Sequence, residues 1–444
     1  MPNRLPIPNQ DSGNWGTLLN GFLTQSLDNT NGGGINKFDT FSLRPTTLGA
    51  DDKGKTYLYT QTGNFHQWTG TEWKVLNESV INVKDYGAVG DGVSDDTAAI
   101  QKCIDNYSSI FIPAGTYLLS NTLGVPTRKK ITGESKNNTI LLREATPKTN
   151  LGKLTSLQGA EDDFNVNAFF ALIYPQSEFY NFDTTIKNLT LSAKLTNVVD
   201  YGIFAPRAAH TTIQNVTIKN VNYAFYTHDS FMGSIRNIHH INGISLFAMV
   251  ADNIGAVGGT TMLLENCYFE TSGGYFPENK GFDVRSLTYS TFNCCGSDRT
   301  NTAYSFVDCF GITLNGCGCE QPFPRKEYTP SIYFLNSKVV LNGFRIVSPI
   351  STNYAGETYS ILAKDRSNVI FNACYFDKYS TLESTGVNTY SIAAIIDSRV
   401  VLNSTTDLLV GKGFGITDTC SIQINDGIDI KKITATGTKT VQFV

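Results

Sequence analysis

The chain has 444 residues, a net charge of −4 at pH 7 and only 17% charged residues, so it lacks the basic surface of a nucleic-acid-binding protein. It contains no apolar run of membrane length, and we expect no membrane insertion. The opening residues MPNRLPIPNQDSGNWG carry no apolar signal-peptide core, so if the protein works outside a cell we expect it to leave by lysis or on a delivery apparatus.

Residues 1–40 form the first predicted segment, an attachment and oligomerisation region with one amphipathic helix. Its apolar stripe at helical spacing consists of Trp15, Leu18, Leu19 and Phe22. A lone helix of this size cannot bury such a stripe, so it needs a partner or copies of itself. We therefore expect a homotrimer.

Residues 41–80 form a small predicted β-rich module. The segment KTYLYTQT alternates like a strand, and QWTGTEWKVL predicts a hairpin whose turn lies between Trp68 and Trp73. Exposed tryptophans could stack on a sugar, but a module this small needs them for its own core. We assign the two tryptophans a structural role.

Residues 81–430 form the main predicted domain, and residues 431–444 the C-terminal end. The domain opens with INVKDYGAVGDGVSDDTAAIQKCIDN, which predicts a strand, a glycine turn and a helix over 95–106. The apolar stripe of this helix consists of Ile100, Cys103 and Ile104. Such a helix would close the open end of a solenoid and cover its edge hydrogen-bonding groups.

Ten asparagines recur in the rest of the chain at steps of 22 to 31 residues, each after a short apolar-containing run. They are Asn188, Asn215, Asn237, Asn266, Asn293, Asn315, Asn342, Asn372, Asn403 and Asn425. A repeat of this length marks one structural coil per period. An Asn can hold a tight turn, and stacked amides can bond one another. The pattern predicts an all-β fold, a parallel β-helix with an internal asparagine ladder.

The segments between these constant positions vary in length, and in repeat proteins insertions on one side mark the binding face. Two long insertions carry rings and charges, although solvated loops would look the same. The predicted substrate-binding residues in them are Tyr275, Phe276, Arg325 and Tyr328.

Several cysteines lie one or two places after a ladder asparagine: Cys267, Cys294, Cys317 and Cys374. This position predicts small buried side chains stacked inside the coils. A matched pair of Cys or His at zinc spacing is missing, so we expect no metal and no cofactor.

The segments YGAVGDGVSDDTAAIQ and IFIPAGTY resemble the opening of the pectate-lyase-like superfamily, whose members include pectate lyases, polygalacturonases and many phage tailspikes. TTMLLENCYFE, LTYSTFNCCGSD and GITLNGCGCE are similar to central coils of tailspikes and capsule depolymerases, and LPIPNQDSGNWGTLLNGFL resembles an attachment module of phage tail proteins. The resemblance implies a right-handed parallel β-helix attached to a phage tail or tail-like baseplate, on a virion or an extracellular delivery apparatus. It does not fix the reaction, since the superfamily includes lyases, hydrolases, esterases and non-enzymes.

Three acids on successive predicted coils form a column: Glu270 lies four residues after Asn266, and Asp298 and Glu320 lie five after theirs. Neighbouring strands are about 4.8 Å apart, so adjacent acids would be about 5 Å apart and the outer two roughly 10 Å. A close carboxylate pair can supply an acid and a nucleophile or base. Separations of about 5–5.5 Å suit retention and about 6.5–9.5 Å suit inversion, and the column offers both. Turn capping is the competing interpretation.

The segment GFDVRS alternates so that Asp283 and Arg285 would point outward and bind an acidic sugar. For a lyase, a base must remove the proton α to a carboxylate, which makes His228, His239 and His240 relevant. The leading interpretation is a tailspike-like protein that binds and depolymerises a bacterial surface polysaccharide, capsule or O-antigen, by hydrolysis. The alternatives are a β-elimination lyase and a non-catalytic receptor-binding fibre.

Overall fold

The computed structural model describes most of the chain between residues 27 and 441. The described ranges are 27–28, 34–76, 80–144, 148–155, 161–194, 199–250, 258–271, 279–320, 330–347, 358–376, 389–404, 414–416, 420–425, 430–434 and 439–441. The predicted N-terminal helix around Trp15 and Phe22 lies outside them. No helix in these ranges is long and apolar enough to cross a membrane.

The N-terminal module is a four-stranded sheet, preceded by the short antiparallel pair Leu27–Asp28 and Gly34–Ile35. Its strands are Lys37–Phe38, Thr56–Tyr59, Asn64–Trp68 and Trp73–Val75, with 3-10 turns at Phe41–Leu43 and Ala50–Asp52. The last two strands form the predicted hairpin, in which Trp68 pairs with Trp73. The two indole rings lie 5.7 Å apart and are half-buried within the module.

A buried polar cluster joins this module to the solenoid. Asp85, in the 3-10 turn Val83–Tyr86, is 1% exposed and accepts hydrogen bonds from the Thr62 hydroxyl and the Asn64 amide at 2.5 and 2.6 Å. The Nε2 atom of His66, which is 0% exposed, lies 3.2 Å from the same carboxylate. Three side chains of the module therefore converge on one acid of the solenoid.

The helix at the start of the solenoid spans Thr97–Asn106. Its inward side chains, Ile100, Cys103 and Ile104, are fully buried against the first coil. The Asp96 carboxylate, before the helix, accepts the backbone N–H groups of Val89 and Gly90 at 2.6 and 3.1 Å, which fixes the glycine turn against the helix start.

Two large sheets, almost entirely parallel, wind around one hydrophobic core, which confirms the predicted all-β, right-handed parallel β-helix. The twelve-stranded sheet consists of Leu123–Val125, Ala168–Leu172, Val199–Phe204, Val221–Thr227, Ser245–Met249, Lys280–Arg285, Thr302–Val307, Ile332–Leu335, Thr358–Lys364, Thr389–Ile395, Phe414–Ile416 and Lys439–Val441.

In the described part of the chain the larger sheet has 27 strands and covers the remaining sides of each coil. They are Ile81–Asn82, Asp91–Asp95, Ser109–Ile112, Gly115–Leu119, Lys130–Gly133, Thr139–Arg143, Asn181–Phe182, Thr185–Ala193, Arg207–Ala209, Thr212–Lys219, Asp229–Phe231, Ser234–Ile241, Gly259–Thr260, Leu263–Glu265, Tyr268–Glu270, Leu287–Thr288, Thr291–Asn293, Gly296–Asp298, Phe310–Asn315, Gly318–Glu320, Lys338–Asn342, Arg345–Val347, Asn368–Asn372, Tyr375–Phe376, Arg399–Asn403, Ser421–Asn425 and Ile430–Thr434.

An antiparallel hairpin, Thr149–Thr155 and Glu161–Val166, lies against the outside of the twelve-stranded sheet. Its Phe164 and Val166 pack with Phe204 and Tyr226 in a second hydrophobic cluster, separate from the core of the solenoid. This part of the sheet is therefore covered on both faces.

The asparagine ladder exists, but it consists of two runs. Amide hydrogen bonds of 2.6 to 3.0 Å connect successive asparagines from Asn188 to Asn266 and again from Asn293 to Asn425. Between the runs the register slips, because Asn293 pairs with Glu265 and not with Asn266. In the first run the asparagines themselves have positive φ, from 52° to 59°, whereas in the second run the following residue does, as at Cys294 with φ 51°.

This slip corrects the predicted position of one cysteine. Cys267, Cys317 and Cys374 are buried as predicted, but Cys294 is exposed and Cys295 is buried in its place. Counting from the ladder asparagine predicts that Cys294 occupies the same core position as Cys267. The strand register instead puts Cys295 level with Cys267.

Candidate functional site

The candidate site lies on the strands that follow the ladder turn, where alternate side chains point outward in two parallel rows. The row nearer the turn contains His239, Tyr268, Gly296, Gly318 and Arg345 on successive coils. The second row contains Ile241, Glu270, Asp298, Glu320 and Val347. The predicted column of three acids is therefore in register.

A surface groove of about 520 Å³ opens over these rows. Its lining includes Tyr268, Asp298, Glu320 and Arg345, with Gly296 and Gly318 between the tyrosine and the arginine. Two of the three predicted catalytic acids thus share one groove.

The two glycines form the floor of the groove. A Cβ on Gly296 would lie 2.9 Å from Cδ2 of Tyr268, and one on Gly318 would lie 2.6 Å from the carbonyl oxygen of Arg345. Neither position has room for a side chain. Tyr268 and Arg345 are three coils apart, roughly 14 Å. The two glycines between them contribute no side chain, and the Tyr268 ring lies against Gly296.

Asp298 is held from both sides. Its Oδ2 accepts the hydroxyl of Tyr268, and its Oδ1 accepts the backbone N–H of Glu320 at 2.9 Å. The side chain therefore reaches toward the coil of Glu320, and the two acids face the same space.

Glu320 is exposed at the edge of the groove. Among the described residues, none donates a hydrogen bond to its carboxylate, in contrast to Asp298. The side chain is therefore able to turn toward a molecule in the groove.

Glu270, the third predicted acid, is paired with a histidine. Nε2 of His239 lies 3.0 Å from Oε1 of Glu270, and the two side chains are 36% and 35% exposed. The His239 ring also packs on Tyr268, with centroids 5.4 Å apart. This pair adjoins the groove at the end occupied by Tyr268.

Arg345 places a positive charge at the other end of the groove. The side chain is exposed, and its guanidinium lies 5.4 Å from the ring centroid of Tyr375 on the next coil. An arginine in this setting can bind an anionic or hydroxyl-rich group of a ligand.

Tyr268 is surrounded by acids. Burial, the hydrogen bond to Asp298 and the negative charges of Asp298, Glu270 and Glu320 raise the pKa of the Tyr268 hydroxyl well above its ordinary value. Tyr268 is therefore protonated at neutral pH and acts as a hydrogen-bond donor.

Two other predicted binding residues, Asp283 and Arg285, are not in this groove. Asp283 and Arg285 lie on the strand Lys280–Arg285 of the twelve-stranded sheet, and Asp283 is paired with Lys280 at 3.0 Å. They point outward as the alternation predicts, but from a different sheet. Tyr275, Phe276, Arg325 and Tyr328 lie outside the described residues.

The remaining histidines are also away from the groove. His240 points into the core, where its Nε2 lies 2.8 Å from the carbonyl oxygen of Val221. His228 is 6% exposed, between the strands Val221–Thr227 and Asp229–Phe231. Within the described ranges, no group of three or more His, Cys, Asp or Glu side chains could hold a metal ion.

Sequence reasoning missed Tyr268, Gly296, Gly318 and Arg345. Each lies two places before the acid or valine of the second row, in YFE, GSD, GCE and RIV. Strand alternation puts residues two apart on the same face, so the column of acids already implied the row nearer the turn.

Comparison with known proteins places the solenoid in a family. A family model described as rhamnogalacturonase A/epimerase, pectate lyase-like, matches residues 80–321, just over half of the chain. Mannuronan C5-epimerase AlgE1 of Azotobacter vinelandii is 26% identical over 259 residues, which cover 54% of this chain and 17% of that protein.

The preneck appendage protein of Bacillus phage PZA is 36% identical over 66 residues, 15% of this chain and 8% of that protein. The chain thus matches less than a fifth of the length of either curated relative. Among solved structures, the gp42 tailspike of Acinetobacter phage vb_AbaP_AS12 has a TM-score of 0.71 at 15% identity, covering 92% of this chain and 78% of that one. This likeness is one of fold.

Proposed function

Because the chain belongs to the rhamnogalacturonase A/epimerase, pectate lyase-like family, we propose that it binds a polysaccharide in the groove and cleaves its glycosidic bonds by hydrolysis. Family membership supports a carbohydrate-active protein. The choice of hydrolysis depends on the residues in the groove.

One observation carries this choice: Asp298 and Glu320 lie on adjacent coils at the same open groove, and the Asp298 carboxylate bonds the backbone of Glu320. Adjacent strands are about 4.8 Å apart, so carboxylates on neighbouring coils can reach the separation of about 5–5.5 Å in retaining glycosidases or of about 6.5–9.5 Å in inverting ones. The glycines add no side chains to the groove, which leaves space for a sugar chain that crosses the coils.

The biological setting is proposed from the relatives. A preneck appendage protein and a tailspike are phage structural proteins by name, and both resemble parts of this chain. We propose a homotrimeric spike that is attached to a phage tail or tail-like baseplate through residues 1–40. Its substrate would be the capsule or O-antigen of a bacterial surface.

A lyase is the second candidate, supported by His239 and Arg345 on the same face. In β-elimination His239, oriented by Glu270, would remove the proton α to a uronate carboxylate, and Arg345, four coils away, would bind the carboxylate of another sugar in the polymer. Tyr268 does not suit the role of this base, because its raised pKa keeps the hydroxyl protonated.

Mass spectrometry of the polysaccharide after incubation with the protein separates these functions. Saturated new ends support hydrolysis, unsaturated ends support the lyase, and an intact but bound polymer supports a non-catalytic fibre. We expect saturated ends.

The variants Asp298→Asn and Glu320→Gln should each lower the cleavage rate by about two to four orders of magnitude, because an amide can neither donate an acid proton nor attack the sugar. Light scattering and the melting temperature should be unchanged. Glu265→Gln, an exposed acid paired with Arg236 outside the groove, is the matched control. Full activity in both groove variants, or loss only in His239→Gln, would contradict the proposal.

A further inference from the structure

We propose that one corner of the solenoid, which we call the corner ridge, is the surface at which three copies of this chain meet along their threefold axis. The inference rests on the proposed homotrimer and assigns the surface that the solenoids use in it. The ridge consists of two residues on each of four successive coils: Phe231 and Met232, Thr260 and Thr261, Thr288 and Tyr289, and Phe310 and Gly311.

The ridge forms because the chain bends at the same place in every coil. The residue at the bend has positive φ: Met232 at 53°, Thr261 at 57°, Tyr289 at 48° and Gly311 at 71°. The backbone N–H of each of the first three donates to a carbonyl oxygen of the next coil at 3.0 or 3.1 Å. The bends therefore stack in register, and their outward side chains form a line parallel to the solenoid axis.

The ridge exposes large apolar side chains. Met232 is 56% exposed, Tyr289 76% and Phe310 37%, and they are three of the seven exposed large apolar side chains in the described part of the solenoid. Tyr289 lies over the next coil, where a Cβ on Gly311 would be 3.2 Å from its ring. Exposed apolar side chains gathered in this way mark an interaction surface.

No residue of the corner ridge is charged, although charged residues precede and follow it on the same line. Asp183 and His210 precede it and pair with each other at 3.2 Å. Lys338 follows it, with its ammonium 5.8 Å from the ring centroid of Phe310. At a threefold axis each residue meets its own two copies, so a charged residue there would face two like charges. An uncharged line is the surface that identical copies need.

The rings at the N-terminal end of the ridge are held in place. Phe231 contacts Tyr180 and Phe182, with ring centroids 5.1 and 6.5 Å apart. The Tyr180 hydroxyl donates to Oδ2 of Asp229 at 2.6 Å, and the buried Arg207 side chain bonds the same oxygen at 3.0 Å. This end of the surface is therefore preorganised and loses little side-chain entropy when a partner covers it.

The shape of the ridge favours a copy of the chain over a sugar. Small-ligand sites are concave and carry a few polar groups that fix the ligand. The ridge is a convex corner, and its polar side chains are three threonines and a tyrosine. If residues 1–40 hold three chains in one orientation, their solenoids run side by side, and a line parallel to the solenoid axis can follow the symmetry axis along its length.

Disulfide crosslinking tests whether the ridge lies on the axis. Met232→Cys is made in a Cys294→Ser background, which removes the exposed native thiol, and the trimer is oxidised at micromolar concentration. We expect about two of every three chains to link, because a thiol on the axis meets the same thiol of its copies at a high effective concentration. Val93→Cys, at a residue that is 79% exposed and outside the ridge, should link about a hundred-fold more slowly.

Met232→Asp tests whether the ridge stabilises the trimer. It puts three like charges on the axis, while Asp tolerates the positive φ of this position. We expect subunit exchange between isotope-labelled and unlabelled trimers, followed by native mass spectrometry, to become about ten-fold faster or more. Val93→Asp is the matched control and should exchange at the wild-type rate. Circular dichroism should show the same β content in both variants.

A trimer in which Met232→Cys links no faster than Val93→Cys would overturn the assignment of the ridge and leave the trimer itself standing. Free alkylation of the Met232→Cys thiol in the trimer, with protection only by added polysaccharide, would also overturn it and assign the ridge to a sugar. A wild-type protein that is a monomer in light scattering would refute the proposed homotrimer, and the inference with it. Cleavage of the polysaccharide is measured separately from all three outcomes.

Discussion

His239 and His240 adjoin in the chain and have opposite surroundings. The His239 ring lies at the surface beside Glu270, whereas His240 is fully buried and stacks on Phe269 with ring centroids 4.8 Å apart. Burial lowers the pKa of His240 to about 4. The sequence shows both histidines near a turn, but only the strand phase decides which one enters the core.

His240 should make stability depend on pH. The unfolded imidazole takes up a proton near pH 6.5, but the folded one does so only near pH 4, so its contribution is complete above pH 6.5 and is lost as the pH falls toward 4. The loss at pH 4.5 is on the order of 2 kcal/mol. We expect the drop in melting temperature between pH 7 and 4.5 to be smaller in His240→Gln.

His210→Gln is the control for this measurement, because the His210 side chain is 45% exposed. The same reduction in both variants would show that the pH dependence does not come from the buried ring.

At the level of the coil, the ladder turn is the element that repeats. Each asparagine inside a run accepts one amide bond and donates another, so the turns of neighbouring coils are joined side chain to side chain. The period of these asparagines is enough to predict the fold. The slip between Asn266 and Asn293 is not visible in the spacing, because the steps vary between 22 and 31 residues in any case.

Asn372→Ala should lower the free energy of unfolding by about 1–3 kcal/mol, because it leaves its partners Asn342 and Asn403 each with one amide bond fewer inside the stack. Asn137→Ala, at an exposed turn residue outside the ladder, is the matched control. Melting temperatures measure both effects. Equal shifts would mean that the ladder bonds add nothing beyond those of a surface turn.

For the candidate site, the sequence predicted the acids but not their surroundings. The column of Glu270, Asp298 and Glu320 follows from counting along the repeats. The bond from Tyr268 to Asp298 and the position of the Tyr268 ring against Gly296 follow only when neighbouring coils are placed in register. Asp283 and Arg285 were predicted from alternation alone, which gives the face of a strand but not the sheet to which the strand belongs.

In the whole molecule, the cluster around Asp85 fixes the N-terminal module to the solenoid. The acid is buried and bonded by Thr62, Asn64 and His66, all from the module. The domain boundary predicted at residue 80 is close to Asp85, but the sequence does not show that Asp85 bonds the module. Its partners are 19 to 23 residues away in the chain and reach it only in the tertiary fold.

Asp85→Ala should weaken this junction, because it leaves the buried His66 and the half-buried Thr62 and Asn64 without their acceptor, a loss of about 1–3 kcal/mol. We expect limited trypsin digestion to separate the module from a solenoid that stays folded, and calorimetry to show two transitions. Asp105→Ala, at an exposed acid of the capping helix, serves as the control. A single transition at the wild-type temperature in Asp85→Ala would contradict this.

The slip in the ladder also limits how such a solenoid can change by recombination. In the coils up to Asn266 the asparagine is itself the turn residue with positive φ. In the coils from Asn293 onward the asparagine lies one residue before the turn residue with positive φ. Exchanging coils within one part preserves the amide contacts, while exchange across the boundary shifts the transplanted asparagine by one residue against its neighbours. The boundary lies between the coils of Glu270 and Asp298, so the solenoid consists of two parts with different turn registers, and these parts meet at the groove.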